Sequence, residues 1–386
     1  MILLILAVAN TFLPGELGAE NSFAPFAIIA LQDLDVAANT GEKPQSKVWF
    51  HDNRWWAVLP DSTGTKLWQL DDMRWVNVLH LSDLTNIHAD TKKFDHITHI
   101  LLYRGIRSEL VSVEYNLATH TYHIWSKRRT HTSITLDPGV ETATIDVDSS
   151  GRMWLASDGQ EEINVRWSDA PYANWSKPTT LAKEVSKDDI CVVVAFPQGD
   201  VGVLWSNQRA KQFGFKLHLK DTSPTSWSKD EIPASGSAEP VGGGMADDHL
   251  NCAIGLDGTL YAAVKTSYDT TGYSKIALLV RRPSGEWDNL YNVDESGTRG
   301  IVVLNERSRF VMVVYTASEG QNNIIYKVSD LSSISFGPRR ILLAQRVNNA
   351  TSTKQSFTDD IVILASTGKT AKGVRLKLRS QGDQHE

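Results

Sequence analysis

Short apolar runs of about four to eight residues recur along this chain, rich in Val, Ile, Trp, Tyr and Thr and bounded by Gly, Asp, Asn or Pro. Such runs predict β-strands, and no stretch keeps a helical period long enough to predict a helix. The runs follow one grammar: a polar cluster, an apolar strand, a tight turn, a second apolar strand, then a polar loop. It reads most clearly in "GGGMADDHLNCAIGLDGTLYAAVKTSYD", Gly242–Asp269. Copies lie at Gln45–Ser62, Val140–Gly159, Lys187–Gln208, Thr298–Gly320 and Ser352–Lys369, with a weaker one at Ala89–Gly105. That makes seven units at a spacing of about fifty residues, a period that predicts the blades of a propeller.

The second half of each unit repeats too. An aromatic residue opens the last strand in six of them: Trp75, Tyr122, Trp175, Trp227, Trp287 and Phe336. A ring at a matched position in nearly every unit predicts packing between neighbouring sheets rather than stacking on a sugar. The seventh unit lacks a fourth strand, and Phe23–Leu31 is placed to supply it and close the ring. The expectation is therefore an all-β chain forming a single β-propeller of seven four-stranded blades, with six or eight as alternatives. It should span residues 21–380, after an export signal over residues 1–20 and before a polar tail at residues 381–386.

The blade pattern also locates the chemistry. First strands of blades line a central channel, so the residues that open them should converge at one mouth, together with the loops that follow the second strands. The openers are Lys47, Asp90, Glu141, Asp188 with Asp189, Asp248 with His249, Arg299, and Lys354 with Gln355. The loop set is Asp61, Tyr103 with Arg104, Asp158, Asn207 with Gln208, Lys265 with Tyr268, Tyr315, and Lys369. Residue type differs from unit to unit, which favours a ligand site over a ring that only satisfies backbone groups. Catalytic candidates are Asp248, His249, Asp189 and Tyr268. Binding candidates are Lys47, Asp90, Arg104, Glu141, Asp188, Asn207, Lys265, Arg299 and Lys354. Two of the carboxylates could serve as acid and base in glycoside hydrolysis. A lyase acting on a uronic-acid polymer would instead use His249 or Tyr268 as base and Lys265, Arg104 or Arg299 to neutralise the carboxylate. Clustered Asp could also hold Ca²⁺, but no DxDxDG-type loop is present, so no cofactor or metal is predicted.

Composition narrows the field. The net charge is −6 and acids and bases alternate without a basic block, which argues against nucleic acid. GxSxG, HExxH, P-loop and GxGxxG signatures are missing. The apolar run Ile2–Val8 is too short to span a bilayer and reads as the core of an export signal without its basic region, with a buried strand as the alternative. Cys191 and Cys252 lie in apolar strands and read as buried hydrophobes, with a bridge between neighbouring strands as the alternative. His96 and His99, in "FDHITHILL", read as satisfied strand histidines.

The stretches "SKVWFHDNRWWAVLPD", "KDDICVVVAF", "VGVLWSNQ", "DDHLNCAIGLDGTLYAAVKTS" and "NNATSTKQ" together resemble a group of secreted bacterial β-propeller proteins of uncharacterised function, related in architecture to the BNR-repeat and sialidase-like superfamily. The resemblance covers nearly all of the chain after residue 40. It implies the propeller fold and a secreted, periplasmic or cell-surface setting, and carries no catalytic roles. True sialidase chemistry fits poorly. It would call for three arginines on the substrate carboxylate, whereas only Arg299 is an opener, with Arg104 next, and "DVDSSGRMW" approximates the Asp-box S-x-D-x-G-x-x-W with the wrong spacing. The expected function is binding, with or without cleavage, of a polysaccharide or glycan at the channel mouth by a monomeric protein. The alternative is a non-catalytic adhesion module that binds protein partners through its rim.

Overall fold

The computed structural model describes residues 26–379 apart from residues 42 and 321; the expected export signal, the tail after residue 380 and Phe23–Pro25 lie outside the described residues. Among them there is no α-helix, only one short 3₁₀ turn at Ser235–Ser237. The rest is a succession of antiparallel sheets whose strands follow one another in chain order. The first sheet is Val48–His51, Arg54–Asp61, Gly64–Asp71 and Arg74–Ser82. The second runs from His88–Phe94 through Ile97–Arg104 to Arg107–Asn116, on whose outer edge both Thr121–Ile124 and Thr132–Thr135 pair. The third starts at Ala143–Val147, the fourth at Cys191–Ala195, and the fifth at Leu250–Ile254. The six strands from Thr298–Asn305 onward join Phe26–Ala30 and Leu34–Asp35 in one eight-stranded sheet, because the long strand Arg340–Thr351 pairs with Asn322–Asp330 on one side and Asp360–Thr367 on the other. Phe26–Ala30 closes it, antiparallel on Thr370–Leu378, in the place the sequence assigned to that segment.

The first strands of successive sheets touch one another around a common axis, and burial falls from second strand to fourth. Met153–Asp158 is buried throughout, while the fourth strand Arg74–Ser82 is mostly half-buried or exposed. Each hydrophobic cluster is shared by two neighbouring sheets. One joins Trp49 and Trp56 to Ile100, Leu102 and Val111; another joins Ile301, Val303 and Ile361 to Val48 and Ala57, so the last sheet packs on the first. The recurrent aromatics lie in these seams, as their repetition predicts. Tyr122 stands edge-on to Trp56 with centroids 4.8 Å apart, Trp227 edge-on to Trp154 at 5.8 Å, and Trp287 to Phe215 at 5.6 Å. Trp75, Trp175 and Phe336 pack against the corresponding clusters.

Strands that meet at an axis leave inner-edge backbone N–H groups without ladder partners, and burial would make that costly. Here polar side chains of neighbouring inner strands accept them. Asp90 accepts from Ser46 and Ile145, Thr144 from Val193, Asp146 from Ala195, and Asn251 from Val302. The hairpin resembling an Asp-box is likewise self-tied: Asp148 accepts from the backbone of Ser150 and Arg152 and from the Trp154 indole at 2.8 Å. Cys191 and Cys252 are both buried free thiols, so the bridge is not formed. His99 is a buried histidine bonded to Ser112 at 2.8 Å, and burial, then Arg128, pushes its pKa down to about 3.

Candidate functional site

Three openers from three consecutive sheets meet at one end of the axis. Glu141, Asp188 and Asp248 stand just before the first strands of the third, fourth and fifth sheets, and one carboxylate oxygen of each lies within 4.8 Å of the others. Between two of them sits a lysine the opener pattern did not reveal. Lys43 Nζ is 2.6 Å from Glu141 Oε1 and 2.6 Å from Asp248 Oδ2, with its side chain almost fully buried. It arrives on a buried segment before the first sheet. Thr40 donates to the Asn349 carbonyl, the Gln45 amide donates to the Ala143 carbonyl, and the Pro44 carbonyl accepts from the Asn251 amide. Gly41 is required there, since a Cβ would come within 2.7 Å of the Asn349 carbonyl oxygen. Burial works against the charge of Lys43, yet Asp248 and Glu141 hold its pKa above the usual lysine value.

The ionic network continues from Asp248. His249 Nδ1 lies 2.5 Å from Asp248 Oδ1 and 3.1 Å from Asp247 Oδ1, and Lys265 Nζ links Asp247 at 3.3 Å to Glu319 at 2.7 Å. Burial would raise the Asp248 pKa, but hydrogen bonding with His249 and Asp247, together with the Lys43 charge, holds it well below the carboxylate range. Asp188 goes the other way. Partial burial and then the Asp248 charge push it up to about 6, against the pull of Lys43. Under Glu141 lies Asp158, which accepts the backbone N–H groups of Glu141 at 2.6 Å and Thr142 at 2.7 Å, and whose pKa burial raises to about 7. It fixes the backbone of Glu141 and leaves that carboxylate to Lys43.

The other candidates are spread elsewhere. Asp189 is fully buried and accepts the backbone N–H groups of Ser186 and Gln208, so it ties a loop while Asp188, one residue earlier, faces the mouth. The Tyr268 hydroxyl is occupied by the Glu239 N–H at 3.0 Å, and burial raises its pKa. Asp90 is not an opener but the third residue of its strand, wholly buried and paired with Lys354 at 2.6 Å. Lys354 follows the inner strand rather than opening it, because the last unit's first strand is the end of Arg340–Thr351. It also donates to the Ile145 carbonyl and lines a separate cavity of about 350 Å³ at the opposite end of the axis, with Phe94, Phe196 and Leu256. Lys47 is buried at the start of the first sheet, and Arg299 sits on a β-bulge at φ 55°. Arg104 is exposed in a hairpin, and Asn207 accepts from Ala210 in its own turn. Of the loop set, Asp61 pairs with Lys66 at 2.5 Å, and the Tyr103 hydroxyl donates to the Val140 carbonyl.

No family model matches the sequence, and no curated protein matches it. Solved structures do match in shape. The polysaccharide lyase Uly1 superposes with a TM-score of 0.56 at 8% identity, over 92% of this chain and 100% of that one. The Cps50 (Swd1) β-propeller domain of Myceliophteria thermophila gives 0.50 at 9% identity, over 92% and 100%. The chain is a β-propeller. A PL25 ulvan lyase, solved bound to -[GlcA(1-4)Rha3S]-, matches this propeller at 0.52 and 11% identity, over 91% and 98% of the two chains. At such identities the likeness carries the fold alone, and the function has to be argued from the site. No helix among the described residues is long and apolar enough to cross a membrane.

Proposed function

We propose that this chain is an exported glycan-binding β-propeller, a single domain through residue 380, whose binding site is the mouth formed by Glu141, Asp188, Asp247, Asp248, His249, Lys43 and Lys265. On this reading the eight-stranded sheet counts as two blades joined through Arg340–Thr351, giving seven in all. The observation that carries the proposal is the convergence of Glu141, Asp188 and Asp248 from three consecutive sheets around one ammonium group. Carboxylates and amines held in a fixed array are suited to grip sugar hydroxyls, which both donate and accept. Two of the matching propellers are named as polysaccharide lyases, which agrees with a glycan ligand. Kinship with the BNR-repeat superfamily remains part of the proposal and rests on the sequence stretches quoted above. Binding of the purified full chain to a glycan array tests it. Silence across neutral, uronate-bearing and sulfated glycans would shift the case to the rim as a protein-binding surface.

A second reading, cleavage, rests on one observation. Asp188 and Asp248 are neighbours whose proton affinities are pushed apart, the pattern that divides an acid from an anion at a hydrolytic site. Asp188 would protonate the glycosidic oxygen and Asp248 would face the developing positive charge. Their nearest oxygens lie within 4.8 Å and the two carboxyls share a hydrogen bond, closer than either hydrolytic geometry, so a glycosidic bond enters between them only when that contact opens. Elimination has less support. Both lysines are already paired with carboxylates, His249 Nε2 is buried away from any partner, and the Tyr268 hydroxyl is occupied. A Ca²⁺ ion on Glu141 and Asp248 would have to displace Lys43, which already supplies the positive charge there. Turnover is checked by reducing-end release across the same glycans, with absorbance of unsaturated uronates separating elimination from hydrolysis.

A further inference from the structure

A second cavity, of about 550 Å³, opens beside the mouth between the fifth sheet and the sheet that follows it. The two spaces share a wall. Lys265 joins Asp247 of the mouth to Glu319, and Glu319 lines the cavity, as does Tyr268. We infer that this cleft is a glycan subsite continuous with the mouth, taking a neutral sugar segment of a chain whose other part lies on Asp248. The inference rests on the glycan reading of the mouth and extends it to chain length and charge.

Three observations carry it. First, the half-exposed ring of Tyr273 lines the cleft, braced by Tyr268 with centroids 5.5 Å apart and planes at 56°. A braced, partly exposed aromatic offers a surface for the apolar C–H face of a sugar. Like Trp287, it packs in part on the seam between the fourth and fifth sheets, and unlike Trp287 it also lines this cleft. Second, the wall presents a hydroxyl on a fixed frame. Ser296 is tied through its N–H to Asp294 and through its hydroxyl to the Ala317 carbonyl and Arg339, while the Ser318 hydroxyl accepts from the Asn322 amide at 2.6 Å and keeps its own proton to donate. Gly297 (φ 134°) lets this loop lie against Tyr315, since a Cβ would meet that ring at 2.7 Å. Third, the charge is negative. Asp269, Glu295 and Glu319 face Lys275, whose ammonium donates to the Tyr268 carbonyl, and Lys265, which Glu319 shares with Asp247, so acids still outnumber bases. Sulfated or uronate units would meet repulsion there, whereas neutral hydroxyls find acceptors. The cleft lined by Asp137, Glu161 and Lys187 has comparable volume and no aromatic ring.

The test is calorimetric titration of the full chain with an oligosaccharide ladder cut from the best neutral glycan on the array, beside a sulfated counterpart. Tyr273→Ala should weaken the longer oligosaccharides about tenfold, the scale of losing one anchoring side chain, and leave the shortest binders unchanged. Tyr273→Leu keeps apolar bulk against Tyr268 and guards against a folding artefact; it should lose the long-chain gain in the same way. Asp248→Asn should weaken every length. Tyr273 variants with wild-type affinity at all lengths would overturn the subsite alone, as would tighter binding of the sulfated ladder, while the Asp248→Asn loss left the mouth intact. Absence of binding by the wild type to any glycan would overturn both.

Discussion

The middle of the axis and its mouth are lined by the same residue types but use them differently. In the middle, Asp90, Thr144, Asp146 and Asn251 spend their oxygens on backbone N–H groups of the next inner strand, and Lys354 and Lys92 neutralise the two carboxylates. At the mouth, Glu141, Asp188, Asp247, Asp248 and Glu319 bond chiefly to other side chains, with two lysines between them. The first arrangement replaces a missing ladder and is fully satisfied. The second holds more carboxylates than cations at close range, which is costly for stability and useful for a ligand. A polar ring at a propeller axis is thus two devices stacked on each other, and hydrogen-bond partners tell them apart where residue type does not.

The largest effect should come from breaking the middle. Asp90→Ala takes a wholly buried partner from the half-buried Lys354 ammonium and from two backbone N–H groups, and is expected to cost about 3–5 kcal/mol of folding stability in denaturant melts. A change below ~1 kcal/mol would mean that the axis is wetter and less structural than its bonds imply. Next comes Lys43→Met, which removes the cation between Glu141 and Asp248. A stability loss of about 1–3 kcal/mol, with weaker glycan binding, should follow as two partly buried carboxylates lose their partner. Should the variant bind more tightly, Lys43 would be a plug over the site rather than part of it.

A smaller effect sharpens the mouth. The Asp188 pKa is raised in the folded protein to about 6, so the folded state holds that proton more tightly than the unfolded chain does. Its contribution therefore weakens stability as pH rises from about 4 to about 6, and the full penalty remains above that. Asp188→Asn should remove this slope and raise folding stability in denaturant melts at pH 8 but not at pH 4, by less than ~1 kcal/mol because the group is solvent-exposed. If hydrolysis occurs, the wild-type rate should fall above pH 6 and the variant should lose it. The smallest expected change is none: a chelator should leave glycan binding untouched, since Lys43 occupies the acidic cluster. Loss of binding in the chelator, restored by Ca²⁺, would make the cluster a metal site.

The sequence showed the repeat, the seam aromatics and the convergence of Glu141, Asp188, Asp248 and His249 because each depends on local apolar strands with marked starts. It misjudged depth where inner strands are polar. "HADTKKF" gives no alternation, because its side chains cap neighbouring backbone, so Asp90 looked like an opener. "NNATSTKQ" likewise hid the end of Arg340–Thr351, which put Lys354 at the wrong end of the axis. Asp188 and Asp189 could not be separated, since one residue of register decides which side chain faces the mouth. Lys43 left no signal at all: its place is set by contacts with Asn349, Ala143 and Asn251, far away in the chain.

The most direct test of the account is a titration of wild type and Asp248→Asn with the best array glycan, each paired with a thermal melt. A functional mouth predicts binding by the wild type and at least about a tenfold loss in the variant, with a loss of stability clearly smaller than that expected of Asp90→Ala. Equal binding by the two proteins, or an Asp248→Asn variant that unfolds as Asp90→Ala is expected to, would contradict it.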